Sequence, residues 1–267
     1  MKVSAGIVAA VVMLALAGTA QAKSKAPEID LVEVKGGTYQ QGDTFDTGGE
    51  DEKPVHQVTV SDFYLGKFEV TQGQWKAVMK TNPSHFQGDS LPVENVSWDD
   101  AQFFIKRLNK LTGKKYRLPT ESEWEYAARS GGGDKYAGTS KGLDKETKEN
   151  ELADYAWYDM NSGGQTHAVG VKKPNALGIH DLSGNVWEWV QDRYAADYYA
   201  KSATENPQGP ETGQDRVRRG GGWTSSERGV RNTFRYGDFA NARNDFVGFR
   251  LALSREDLVA GHKAVRK

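Results

Sequence analysis

The chain of 267 residues contains no cysteine. Thiolate nucleophiles, thiolate metal ligands and redox pairs are therefore excluded, and so is any disulfide that could pin a loop. Histidine is scarce as well: His56, His85, His167, His180 and His262 show no His-x-His or His-x-x-x-His spacing. Imidazole suits iron or copper. His167 and His180 flank one loop, and a facial triad with a carboxylate would need the fold to bring them together; the alternative is that each is a hydrogen-bonded structural residue. Neither sign of charge predominates, with 35 Lys and Arg against 36 Asp and Glu. The basic residues are scattered along the chain, so nothing points to nucleic acid. Apolar runs are short too: the longest, Ala5 to Ala17, falls below the ~20 residues that a membrane-spanning helix needs.

That run lies between Lys2 and a small-x-small site at Ala20-Gln21-Ala22, the layout of a cleavable signal peptide over residues 1–22. An uncleaved anchor is the alternative. Export implies a periplasmic or secreted protein, with no membrane span in the mature part. The remaining residues, about 245, suffice for one large domain with a substantial core. We read 23–31 as a leader, 32–254 as the domain and 255–267 as a C-terminal tail.

What is present is abundant turn and cap chemistry. Residues 29–34 and 55–60 alternate as half-buried strands do. Three helix starts share a Thr or Ser followed three residues later by an acid or amide: Thr71 and Gln74, Ser97 and Asp100, Thr120 and Glu123. In such a box the hydroxyl accepts from a free first-turn amide while the later side chain reaches back to the cap. The middle helix carries Ala101, Phe104, Ile105, Leu108 and Leu111 on one face and is expected to end near Gly113. Glu121, Glu123 and Glu125 read as dipole, capping and ion-pair residues, with an acid–base cluster as the alternative. Residues 130–178 and 200–214 are rich in Gly, Asn, Asp and Lys and read as long loops. The expected class is α+β, one domain with few helices and short strands.

Five stretches carry a family likeness: Phe63–Thr71 (FYLGKFEVT), Pro92–Trp98 (PVENVSW), Arg117–Arg129 (RLPTESEWEYAAR), Asn175–Trp189 (NALGIHDLSGNVWEW), and Arg219–Trp223 (RGGGW) running on to Gly248–Ala252 (GFRLA). In that order the chain resembles the sulfatase-modifying-factor, or formylglycine-generating-enzyme, family. The likeness implies a variant of the C-type lectin fold. It also implies a structural calcium in the loop Asp181–Glu188, held by the side chains of Asp181 and Glu188 and the carbonyls of Gly184 and Val186. Calcium takes ~6–8 oxygen ligands and suits such a Gly-containing loop. The alternative is a loop closed by hydrogen bonds, with Glu188 paired to an arginine. The loop before it is too divergent to map a second calcium site; Asp154 and Asp159 are possible remnants.

Copper-dependent members of the family hold Cu(I) with two cysteines after a Gly-Gly-Ser-aromatic run. Here Ser225 falls where the first would stand, Gly222 replaces the serine, and no cysteine can serve as the second. A hydroxyl is a poor ligand for Cu(I), which argues against copper and against formylglycine generation. The resemblance implies that the segment from Trp223 to Phe246 lines a ligand cleft. Trp223, Ser225, Arg228, Tyr236, Asp238 and Arg243 are the expected contacts, because Arg and aromatic side chains offer forked donors and flat area. Arg231, Arg235 and Arg250 are expected in the framework instead. The reading these residues favour is an exported binding or accessory module for a peptide, protein or small peptide-derived ligand. The alternative is a periplasmic oxidative maturation enzyme, like relatives that finish siderophore chromophores.

Overall fold

The computed structural model describes residues 26–257 apart from 145 and 148. The expected signal peptide lies outside the described residues. In chain order the elements are β1 (Leu31–Val34), β2 (Gly37–Gln41), β3 (His56–Val60), β4 (Phe63–Gly66), α1 (Gln72–Met79), α2 (Trp98–Thr112), α3 (Glu121–Ala128), β5 (Trp187–Arg193), β6 (Asp215–Arg219), β7 (Arg235–Phe239), β8 (Val247–Phe249) and β9 (Ala252–Ser254). The first strand opens at Leu31, the last residue assigned to the leader.

The three capping boxes form as written. Thr71, Ser97 and Thr120 accept from the amides of Gln74, Asp100 and Glu123 at 3.1–3.2 Å, and each later side chain accepts from the cap amide at 2.9 Å. Helix α2 stops at Gly113, which takes the left-handed φ of 72°. Its buried face is Ala101, Phe104, Ile105 and Leu108, the i, i+3, i+4, i+7 pattern of a helix on a core. Leu111, expected on that face, is instead 45% exposed, because the last turn projects beyond the core. The basic residues are not evenly scattered after all: Lys106, Arg107 and Lys110 fall within five consecutive positions, and the outward side of α2 presents all three.

Three sheets organise the domain. Strands β1, β4 and β9 form one, β2 and β3 a hairpin, and the third has the order β7-β6-β5-β8, with β5 and β8 parallel. Strand β5 is buried on both sides. Trp187 and Trp189 face a core with Trp75, Phe104 and Phe249, while Val190 joins a second core with Trp124, Val217 and the β2–β3 hairpin. A strand covered on both faces loses the alternation of a half-buried one, which is why the run Val186–Val190 is nearly continuous in apolar residues. Among the described residues, 130–178 contains no α-helix or strand and one 3-10 turn, Glu151–Asp154.

Candidate functional site

Left-handed backbone shapes the loop before β5. Asp181, Gly184 and Asn185 have φ of 58°, 84° and 61°. A Cβ at residue 184 would lie 2.2 Å from the Trp157 carbonyl oxygen, so only glycine fits there. Buried Glu69 fastens the loop from outside, accepting from the Asn185 side-chain amide at 2.7 Å and the Val186 amide at 3.1 Å. Glu188 accepts two bonds from Arg250, at 2.6 and 2.7 Å, and one from the Trp124 indole at 2.8 Å. Asp181 Oδ2 accepts from the Gly170 amide at 2.7 Å, but its buried Oδ1 has no partner among the described residues. Three buried carboxylates thus surround one guanidinium. Burial, with the charges of Asp181 and Glu188, pushes Glu69 well above the usual carboxylate range. Burial likewise pushes Asp181 up to about 6, against the pull of the Gly170 amide and Arg250. The arginine pairing of Glu188 is therefore present, and the orphaned Asp181 oxygen is the donor left for a cation. Glu188 could serve as a second only by sharing oxygens already bonded, which the four lone-pair sites of a carboxylate permit.

The framework arginines lie inside. Arg219 bonds Glu121 and Glu125, Arg235 grips Glu121 with two bonds at 2.8 Å, and Arg231 grips Glu52 at 2.7 and 2.8 Å. Glu123 pairs with Arg117. The three glutamates of α3 are therefore capping and ion-pair residues. Above this layer a depression of about 530 Å³ is lined by Asp51, Tyr194, Arg228, Phe234, Tyr236 and neighbouring residues. Of the six expected contacts it brings together Arg228 and Tyr236, the latter 48% exposed. Asp238 lies beside it, 3.1 Å from Arg218 Nη1. Arg218 is almost fully buried between Trp187, Tyr236 and Phe246, with ring centroids at 5.2, 4.5 and 5.5 Å. Its Nε and Nη1 make no well-aligned hydrogen bond among the described residues, so Asp238 meets it as a charge rather than as a hydrogen-bond acceptor.

Trp223 and Ser225 stand apart from the depression. The Trp223 indole donates to the Asp245 carbonyl and its ring meets Phe86 edge-on at 5.5 Å. Ser225 Oγ accepts from the Gly222 amide at 3.0 Å. A Cβ at Gly229 would come 3.2 Å from Ser225 Cβ, so residues 225 and 229 face each other, but neither carries a thiol and nothing here fits Cu(I). Arg243 is spent on Asp100, with bonds of 2.7 and 3.0 Å at the start of α2.

The two loop histidines do not meet as metal ligands. His167 stacks on Trp157 at 3.7 Å and bonds the Ser162 carbonyl, while His180 bonds the Lys172 carbonyl. No group of three His, Asp or Glu side chains among the described residues is arranged to hold a metal. Asp154 pairs with Lys173 at the surface.

Sequence reasoning missed Asp51, Tyr194 and Glu94. Tyr194 donates to Asp51 at 2.9 Å, and burial with that bond pushes its hydroxyl up to about 12. Glu94 is fully buried behind the Phe86 loop. Its Oε1 accepts from the Phe86 amide at 2.8 Å, its Oε2 has no partner among the described residues, and burial pushes it up to about 7. Nothing local in PVENVSW distinguishes a buried acid from a solvated one.

The sequence matches a known family over nearly the whole of the described chain. The description "Sulfatase-modifying factor enzyme 1-like domain" matches residues 17–255. The chain belongs to this family. Within it, the Chaperone protein LppX of Paenibacillus barcinonensis is 36% identical over 74% of this chain and 79% of that protein. Two solved structures share the fold. Treponema denticola variable protein 1 superposes with a TM-score of 0.76 at 33% identity, and PvdO from Pseudomonas aeruginosa with 0.74 at 29%. Each match covers 84% of this chain and 94% of the other. The fold is thus the formylglycine-generating-enzyme type, and this member lacks the copper cysteines.

Proposed function

We propose that the protein is a binding or accessory module whose C-terminal cleft holds a peptide, a protein segment or a small peptide-derived ligand. The carrying observation is the division of labour among arginines. Arg219, Arg231, Arg235 and Arg250 are consumed by buried carboxylates, whereas Arg228 and Tyr236 stand exposed at the rim of the 530 Å³ depression. An exposed aromatic beside a forked donor suits the backbone and aromatic groups of a peptide. The names of two relatives, a chaperone and a variable protein, accord with an accessory or recognition role. The test is a peptide array probed with purified protein. Tyr236→Ala should weaken retained peptides at least about tenfold, as loss of a central aromatic anchor does. Sustained oxygen uptake with a Cys-containing sulfatase peptide would overturn this reading.

Calcium belongs to the proposal as a structural ion. The support is the orphaned Asp181 Oδ1 and the excess of buried carboxyl groups over the single guanidinium of Arg250. Asp181 and Glu188 would supply side-chain oxygens and Gly184 and Val186 carbonyls. The second reading is a maturation enzyme of the exported compartment, and the observation favouring it is Glu94, a buried acid that titrates near neutrality behind Trp223 and Phe86. Stoichiometric iron or copper in the purified protein would favour that reading.

A further inference from the structure

Helix α2 carries a second surface, on the side away from its core face. Phe103 is 50% exposed and Leu111 45%. Between and around them project Lys106, Arg107, Lys110 and Lys114, and Lys80 joins from the end of α1. From residue 101 to residue 120 the sequence has no acid at all, although the whole chain carries a net charge of -1. Several other surface cations are answered: Lys76 pairs with Asp89, Lys115 with Asp257 and Arg243 with Asp100. Lys80, Lys106, Arg107, Lys110 and Lys114 form no ion pair among the described residues. Arg107 lies 5.7 Å from the centre of the Phe103 ring, and a groove of about 410 Å³ runs between the two helices, lined by Ala77, Val78, Lys80, Phe103, Arg107, Lys110 and Leu111.

We infer that this face docks on the surface of an anionic phospholipid bilayer. The charge is diffuse, carried on long side chains over two to three helical turns, with no buried donor fixed for one particular acceptor. Such a pattern matches a plane of phosphates better than a specific acidic side chain. The half-exposed Phe103 and Leu111 can enter the boundary of headgroups and acyl chains while the Lys and Arg stems keep their charges among the phosphates. Each basic side chain near an anionic leaflet multiplies affinity about fivefold. The surface shares no lining residue with the Arg228–Tyr236 depression.

Sedimentation of the purified protein with phosphatidylglycerol–phosphatidylcholine vesicles, against phosphatidylcholine alone, tests this. Binding is expected to the anionic vesicles only and to weaken as salt rises. Lys106→Glu/Arg107→Glu/Lys110→Glu should lose on the order of a hundredfold in affinity. The milder Phe103→Ser should lose severalfold while its circular dichroism stays that of the parent, which guards against misfolding of the triple variant. Absence of binding to the anionic vesicles overturns the inference, as does equal binding to both kinds. Binding to soluble polyglutamate as tight as to the anionic vesicles would overturn it in favour of an acidic protein partner.

Discussion

A single buried acid gives the clearest residue-scale expectation. Glu94 keeps its proton in the folded protein up to about pH 7, whereas in the unfolded chain it releases it near 4.5. Between those values the folded state binds more protons, so stability falls as pH rises across the window. Glu94→Gln preserves the acceptor for the Phe86 amide and removes the charge. Urea unfolding at pH 8 should show the variant more stable than the parent by on the order of 1–3 kcal/mol, and at pH 4.5 the difference should vanish. Parallel stability curves for the two proteins would show that Glu94 does not titrate in this range.

At the scale of elements, the tie between the β2–β3 loop and the C-terminal segment rests on Glu52 and Arg231. Burial alone would raise Glu52, but the bonds from Arg231 and Thr233 outweigh it and hold the carboxyl below its ordinary value. That contribution is present above the ordinary carboxylate pKa and is lost as pH falls through the lowered one. Arg231→Ala leaves Glu52 buried and unpaired and should cost about 3–5 kcal/mol in chemical denaturation. Replacing both partners with apolar side chains of similar volume should cost far less.

Much of this level is legible in sequence, for identifiable reasons. The capping boxes at Thr71, Ser97 and Thr120 act within four residues, so the sequence contains both partners. Of the α3 glutamates, Glu123 has its partner Arg117 six residues away, whereas Arg219 and Arg235, which hold Glu121 and Glu125, lie about a hundred residues away and could not be read locally. Asp51 and Tyr194 meet across 143 residues, and no periodicity announces such a contact. Leu111 misled because a helix pattern does not reveal where the underlying core stops. The run of cations from Lys106 to Arg117 was legible in the sequence, although a whole-chain charge balance averages it away.

For the whole molecule, the segment Asp181–Glu188 joins Glu69 near β4, Gly170, β5 and Arg250 near β9, so an ion there would act on global stability. Chelator should lower the melting temperature of the purified protein by several degrees, and calcium added back should restore it, since a ligand that binds only the folded state stabilises it by mass action. An unchanged melting temperature in protein shown to contain calcium beforehand would remove the ion from the stability argument. The layering of the arginines has one further consequence. The groups that hold the chain together lie beneath the cleft, locked in pairs, while Arg228 and Tyr236 stand exposed on its lip. Substitutions on that lip can therefore change what is recognised at small cost to folding, so that new specificity and sound architecture need not be traded against each other.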